Sequence, residues 1–356
     1  MNELESRLHY PLADTLPAAG ECLEVAPGVL WLRMPLPFAL NHINLWLLRD
    51  HQEREGRTVE GWTVVDTGIH SAETMALWEQ VFATQLQGLP ILRVLVTHMH
   101  PDHVGLADWL CQRWNAALWI SATDYYVARL GVMGPTAFGG ERAAAFFATH
   151  GLNSPEAVAQ IEARTNYYPS MVPALPLQYR RLMDGQVLRI GTRQWRCIAG
   201  YGHAPEHMAL SCDEDRLLLG GDMMLPRIST NVSVFETEPE ADALSLFLDS
   251  IDRFVPLDAQ TLTLPSHGKP FVGLHERVRQ LHAHHADRLV EVMAACRAQA
   301  CSALDVLPVL FPRAMDMHQT TFAMGEAVAH LHRLWFQGAL QRTRDAQGVY
   351  RFSAVD

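Results

Sequence analysis

The chain has 356 residues, of which 49% are hydrophobic and 19% charged, enough apolar material for a large core plus a smaller unit and too much for disorder. Its formal net charge of −11 argues against broad electrostatic binding to nucleic acid or to an anionic membrane. The six cysteines (Cys22, Cys111, Cys197, Cys212, Cys296 and Cys301) contain no Cys-x-x-Cys pair, which excludes a thiolate zinc site of that kind and argues against a disulfide framework.

Residues 1–20 carry acids and prolines without a basic start and apolar run, so no signal peptide is expected. The apolar runs at 45–48 and 91–96 are far too short to span a bilayer, and a reducing cytoplasm is the expected location. In chain order, residues 29–34, 43–48 and 62–65 are predicted strands, with 51–57 as a polar turn between the last two. Residues 71–87 place Met75, Trp78, Val81, Phe82 and Leu86 at helical spacing. The run 91–96, apolar except for Arg93, reads as a buried strand, followed by a helix at 105–114 and a strand at 117–120. Residues 131–176, rich in Gly, Pro and Ala, read as helical pieces forming a cap near a substrate mouth. Strands resume at 186–190, 195–199, 208–212, 216–219 and 261–264, and after Gly268 the pattern becomes almost wholly helical. Helices are predicted at 274–300, 302–310 and 320–337, before a strand–turn–strand around 345–348. This divides the chain into a catalytic domain at 1–270 and a C-terminal domain at 271–356.

Chemistry concentrates just past the predicted strands. In Thr97-His98-Met99-His100-Pro101-Asp102-His103, extended residues two apart point the same way, so His98 and His100 can hold one cation together. Pro101 turns the chain, and Asp102 and His103 then open the next helix, aimed at a second cation. Imidazoles with a carboxylate suit zinc first, and also iron or manganese. His203, Asp222 and His267 each follow a predicted strand, as does Asp66 in Val65-Asp66-Thr67-Gly68, so the loops can converge on one point. The set lacks Gly-x-Ser-x-Gly and a phosphate-binding Gly-rich loop, so no serine nucleophile is required.

This ordered set resembles the metallo-β-lactamase-fold hydrolases over about residues 25–270, and looks closest to their glyoxalase II-like branch. The resemblance implies a four-layer αβ/βα sandwich of α+β class carrying two divalent metals, with a mainly helical C-terminal domain similar to a winged helix. It implies that His98, His100 and His203 hold the first metal, and that Asp102, His103 and His267 hold the second. Asp222 would bridge both, and Asp66 would hydrogen-bond within the ligand-bearing loops. Flavodiiron-type oxidoreductases of this fold replace the second motif histidine by an acid, so His100 disfavours a redox role. Two such cations would acidify a water to hydroxide, with Asp102 or Asp222 orienting it and accepting the proton the water gives up.

The function expected is hydrolysis of a small thioester, ester or lactone carrying an acyl group. The alternative is a metal-dependent ribonuclease or phosphodiesterase whose C-terminal module, with Arg333, Arg342, Arg344 and Arg351, grips nucleic acid. Nucleic acid is the weaker partner expectation because acids balance those arginines; the module would otherwise pack or form a homodimer. Candidate substrate contacts are His207, Arg227, Lys269 and His285, with a structural hydrogen bond as the alternative for His207. His282, His284 and His285 otherwise read as a solvated helix face.

Overall fold

The computed structural model describes residues 4–134 and 139–355. The first half comprises β1 (Leu23–Ala26), β2 (Val29–Pro35), β3 (His42–Arg54), β4 (Arg57–Val65), α1 (Ala72–Thr84), β5 (Ile91–Leu95), α2 (Pro101–Val104), α3 (Ala107–Trp114), β6 (Ala117–Ser121), α4 (Ala122–Val132), α5 (Gly140–Thr149), α6 (Pro155–Glu162), α7 (Tyr167–Met171) and β7 (Tyr179–Leu182). The second comprises β8 (Val187–Ile190), β9 (Arg193–Gly200), β10 (His207–Cys212), β11 (Leu217–Gly221), α8 (Ala243–Asp252), β12 (Leu262–Pro265), β13 (Phe271–Val272), α9 (Leu274–Ala298), α10 (Ala303–Leu310), α11 (Met317–Phe336), β14 (Leu340–Arg344) and β15 (Tyr350–Ala354).

β1 to β7 form one sheet in sequence order, antiparallel up to β4 and parallel beyond it. The other sheet has the order β13-β12-β11-β10-β9-β8, and β14 with β15 makes a separate ribbon. The inner faces meet through Trp31, Trp46, Val65 and Leu95 on one side and Trp195, Met208, Leu210 and Leu264 on the other. Leu45, Leu47, Val64 and Val94 alternate to the opposite face of the first sheet, under Trp78, Leu110 and Tyr125 of α1, α3 and α4. A strand covered on both faces must be apolar on both, which is why 91–96 lacks alternation. On the far face of the second sheet, Ile198, Ala209 and Leu218 lie beneath Phe247 of α8, Leu281 of α9 and Leu331 of α11. The layers therefore run α, β, β, α.

Several sequence expectations need correction. The polar turn at 51–57 is strand: the β3–β4 ladder continues to Arg54 opposite Arg57, and only Glu55 and Gly56 turn, both at positive φ. Backbone pairing tolerates polar side chains where a hairpin runs beyond the core, so polarity alone misplaced the turn. The helix expected at 105–114 is α3, beginning at Ala107, and the short α2 precedes it; Gly105 between them packs against other backbone, where a Cβ would lie 2.5 Å from the Pro101 carbonyl oxygen and 2.7 Å from that of Gly68. After Gly268 the chain still contributes β13, which pairs with β12 at the sheet edge. β1, β7, α4 and α8 were not anticipated. The expected cap divides: α5 and α6 bury Phe146, Phe147 and Ile161 in the same apolar cluster as α9 to α11, while α7 lies on the ligand loop. All six cysteines are free. Among the described residues no helix is long and apolar enough to cross a membrane.

One buried ion pair ties the sheets together. Arg93 donates to Asp50 through Nε at 2.8 Å and Nη2 at 3.2 Å, and Asp50 also accepts from Thr63 Oγ1 and from the Gly191 amide. Asp50→Ala would leave the buried guanidinium without its carboxylate, and should lower unfolding stability by about 3–5 kcal/mol in denaturant titrations. A loss below about 1 kcal/mol would show the pair to be dispensable.

Candidate metal centre

The ligand loop leaves β5 at Leu95 and is clamped on both sides of Met99. The Met99 amide donates to Asp124 at 2.8 Å, and Tyr168 Oη donates to the Met99 carbonyl at 2.6 Å. The backbone at His100 is extended, with φ −63° and ψ 147°, so His98 and His100 project together, and Pro101 starts α2 where no amide donor is needed. His98 Nε2 then lies 2.9 Å from His100 Nδ1, His100 Nδ1 lies 3.2 Å from His203 Nε2, and His203 Nε2 lies 3.2 Å from His98 Nε2.

The last of these contacts is not a hydrogen bond. His203 Nδ1 donates to the Asn231 carbonyl at 2.8 Å, so its Nε2 carries a lone pair when the ring is neutral. Thr97 donates its hydroxyl to Asp66 and can accept from His98 Nδ1 at 3.0 Å, which leaves a lone pair on His98 Nε2 as well. Burial pushes the pKa of His98 well below its ordinary value and that of His100 to about 3. The Nε2 lone pairs of His98 and His203 thus face one another across 3.2 Å with His100 Nδ1 beside both, an arrangement that a cation between the three nitrogens would satisfy.

A second group adjoins the first. His267 Nε2 is 3.4 Å from Asp102 Oδ2 and 3.5 Å from Asp222 Oδ1, and His103 Nε2 is 3.6 Å from each of the same two oxygens. His103 Nε2 and Asp222 Oδ1 are buried and have no hydrogen-bond partner. Asp222 turns its other oxygen, Oδ2, to His203 at 3.3 Å, so one carboxylate faces both groups. Burial opposes charge on His267, but the carboxylates of Asp222 and Asp102 outweigh it and raise the pKa to about 10; for His103, burial is likewise outweighed by Asp102, Asp66 and Asp222, which hold its pKa well above the ordinary value. Separations of 3.4–3.6 Å are nonetheless long for the 2.7–2.9 Å bonds that protonated rings form with carboxylates. Donors 2.0–2.1 Å from a tetrahedral ion lie about 3.3 Å apart, which both groups approximate. The residues present therefore fit two divalent cations: His98, His100, His203 and Asp222 around one, and Asp102, His103, His267 and Asp222 around the other.

The supports explain the precision. Asp66 accepts from the Thr97 amide at 2.7 Å and from His103 Nδ1 at 2.8 Å. His267 Nδ1 donates to the His42 carbonyl at 2.7 Å, and Asn44 Nδ2 pins the same loop through the carbonyls of Pro265 and Gly268. Asp66→Ala should weaken metal binding about 10- to 100-fold, read by competition against a chelator. Unchanged affinity would show that His103 needs no such partner.

The seven expected ligands and Asp66 are thus brought together. The four expected substrate contacts are not, and are corrected here. His207 is fully buried beneath the centre, with its ring against Gly221, where a Cβ would lie 2.1 Å from Nε2; that nitrogen accepts from the Asp222 amide at 3.3 Å. His285 is buried between α9 and α11, 3.3 Å from His330, because that helix face meets the core and not solvent. Lys269 pairs with Asp14 and Arg227 faces Glu5, so both are engaged by the N-terminal segment. Sequence reasoning missed Asp124, Asn44, Asn231 and Tyr168. Asn44 alone left a signal, a polar residue inside an apolar strand.

The metallo-beta-lactamase superfamily domain matches residues 43–267, and the metallo-beta-lactamase-like C-terminal domain matches residues 289–355. The chain belongs to the metallo-β-lactamase superfamily and is a metallo-hydrolase by family. It is 24% identical over 331 residues to the probable metallo-hydrolase YqjP of Bacillus subtilis (strain 168), covering 90% of this chain and 97% of that one. A beta-lactamase domain protein from Burkholderia ambifaria superposes with a TM-score of 0.93 at 52% identity, covering 99% of this chain and 100% of that chain. The metallo-beta-lactamase family protein TTHA1429 from Thermus thermophilus superposes with a TM-score of 0.75 at 28% identity, over 93% of this chain and 100% of that chain.

Proposed function

We propose that this protein is a binuclear metal-dependent hydrolase of a small acyl substrate, a thioester, ester or lactone, of the glyoxalase II-like kind. The observation that carries the reading is the meeting of three imidazole nitrogens at 2.9–3.2 Å, two of them with lone pairs turned to each other, with one carboxylate shared between two groups. Two cations held there, zinc or else iron or manganese, would lower the pKa of a water and polarise a carbonyl oxygen. The chain's own part is to orient the imidazoles, to hold those of His98 and His100 neutral by burial, and to keep Asp102 and Asp222 ionised beside the reacting centre, where they can orient a water and take its proton.

Aromatic side chains favour an acyl substrate. Phe38 stacks on His318 at 5.6 Å, and His318 lies 3.2 Å from Tyr167 Oη. Tyr168, the next residue, donates to the Met99 carbonyl of the ligand loop, which sets this wall beside the ligand cluster, and burial pushes the Tyr167 phenol up to about 12. A small cavity next to it is lined by Phe147, Arg164, Tyr167, Phe235, His318 and Phe322. Arginines of the C-terminal ribbon are occupied instead of forming a basic track: Arg342 pairs with Glu240 and lies over Trp335, and Arg351 pairs with Asp305 and Asp345. The C-terminal segment, which we take as a winged-helix-like domain following a catalytic domain at 1–270, therefore serves the site by packing.

The test is an activity panel on metal-reconstituted protein: acyl-glutathione, acyl-CoA, homoserine lactone, a phosphodiester and RNA. Turnover of an acyl substrate that is lost on chelation is expected. Cleavage of RNA alone would overturn the acyl reading in favour of a nuclease.

A further inference from the structure

We infer that Glu326, on α11 in the C-terminal segment, is a positioning residue for His203, and that the first metal group depends on it for affinity. The inference rests on the metal reading above. Glu326 is 8% exposed and forms no ion pair among the described residues. A buried acid without a charged partner is costly, and burial raises this carboxyl to about 7. Its Oε2 accepts from Asn231 Nδ2 at 3.0 Å, while Asn231 Oδ1 accepts from Ser233 Oγ at 2.8 Å. The Asn231 amide is therefore held at both ends, and its backbone carbonyl is the acceptor for His203 Nδ1.

The same short segment is fastened to the metal centre and to α11 elsewhere. Thr230 donates its hydroxyl to the Asp222 carbonyl. The Val234 amide donates to the Gly325 carbonyl at 3.1 Å, and a Cβ at Gly325 would lie 2.8 Å from Ser233, so helix and segment are in close contact. His203 thus takes its orientation from a segment whose conformation α11 imposes. The supports of the other group are different: Asp66 for His103, and His42 with Asn44 for the His267 loop. Removing the Glu326 acceptor leaves the Asn231 amide unpaired in a buried place and frees the segment to shift, which moves the His203 lone pair away from its neighbours.

The experiment is a two-equivalent zinc titration of the full chain against a competing chelator, with circular dichroism to establish folding. Wild type should take two equivalents. E326A should lose about tenfold in affinity at one equivalent only, the low end for a partner acting through an intermediary, and E326Q, which keeps an acceptor oxygen, should recover most of it. N231A should show the same selective loss, and E326A/N231A should be no weaker than N231A alone, because both substitutions break one linkage. If E326A does not fold, E326Q and N231A still decide the matter. Folded E326A or N231A with both affinities unchanged, or with both equivalents weakened alike, would overturn the inference while leaving the metal reading intact. Wild type that takes up no zinc, iron or manganese would instead remove the reading on which it rests.

Discussion

Asp222→Ala is expected to reduce kcat/KM by about a thousandfold or more, since polarisation by a bound cation is worth several kcal/mol and each 1.4 kcal/mol is about a decade in rate. The reason is geometric. Asp222 Oδ2 faces His203 at 3.3 Å, and Oδ1 faces His267 at 3.5 Å and His103 at 3.6 Å, so this one carboxylate addresses both groups. Its loss should lower the metal content on both sides. His103→Ala should act on one side only, leaving an equivalent bound by His98, His100 and His203. Steady-state kinetics paired with elemental analysis separates the two cases. An Asp222→Ala protein with two bound metals and ordinary turnover would remove the shared carboxylate from the mechanism.

The second large effect concerns stability. Imidazoles and the carboxylates of Asp102 and Asp222 crowd a largely buried space, and His103, His203 and His267 are each positioned by a partner on the far side of the ring. A cation that binds this arrangement and not the unfolded chain stabilises it by mass action. With metal a thousandfold above its Kd, unfolding should cost about 4 kcal/mol more than after exhaustive chelation. Denaturant midpoints with and without chelator measure this directly, and restoration by zinc, iron or manganese in turn ranks the metals. Equal midpoints in both states would mean that the cluster holds no cation under those conditions.

The ligands were legible before any coordinates because their chemistry is written locally. His98-x-His100-x-Asp102-His103 needs only the geometry of one strand end and one helix start, and His203, Asp222 and His267 each follow a strand that hydrophobic pattern reveals. The four-layer arrangement followed instead from the family resemblance that those ligands carry, while the run at β5 announced only a buried strand. Patterning failed where a residue's partner lies elsewhere. The long β3–β4 hairpin carries polar residues that look like a turn, and β1 and β7 are short edge strands whose pairing, not composition, makes them strands.

What this sequence determined alone was the identity and order of the groups that can face a cation, because donor type and strand-end position are properties of a few consecutive residues. What only the tertiary structure decided was who holds them in place. Glu326 stands 123 positions beyond His203, and Asn44 stands 223 before His267, yet both act on those histidines through loops they touch in space. The same long-range packing placed His207 and His285 inside the protein and drew Lys269 toward Asp14. A titratable side chain is read by its own chemistry, but whether it meets a substrate or a core depends on which distant surface covers it.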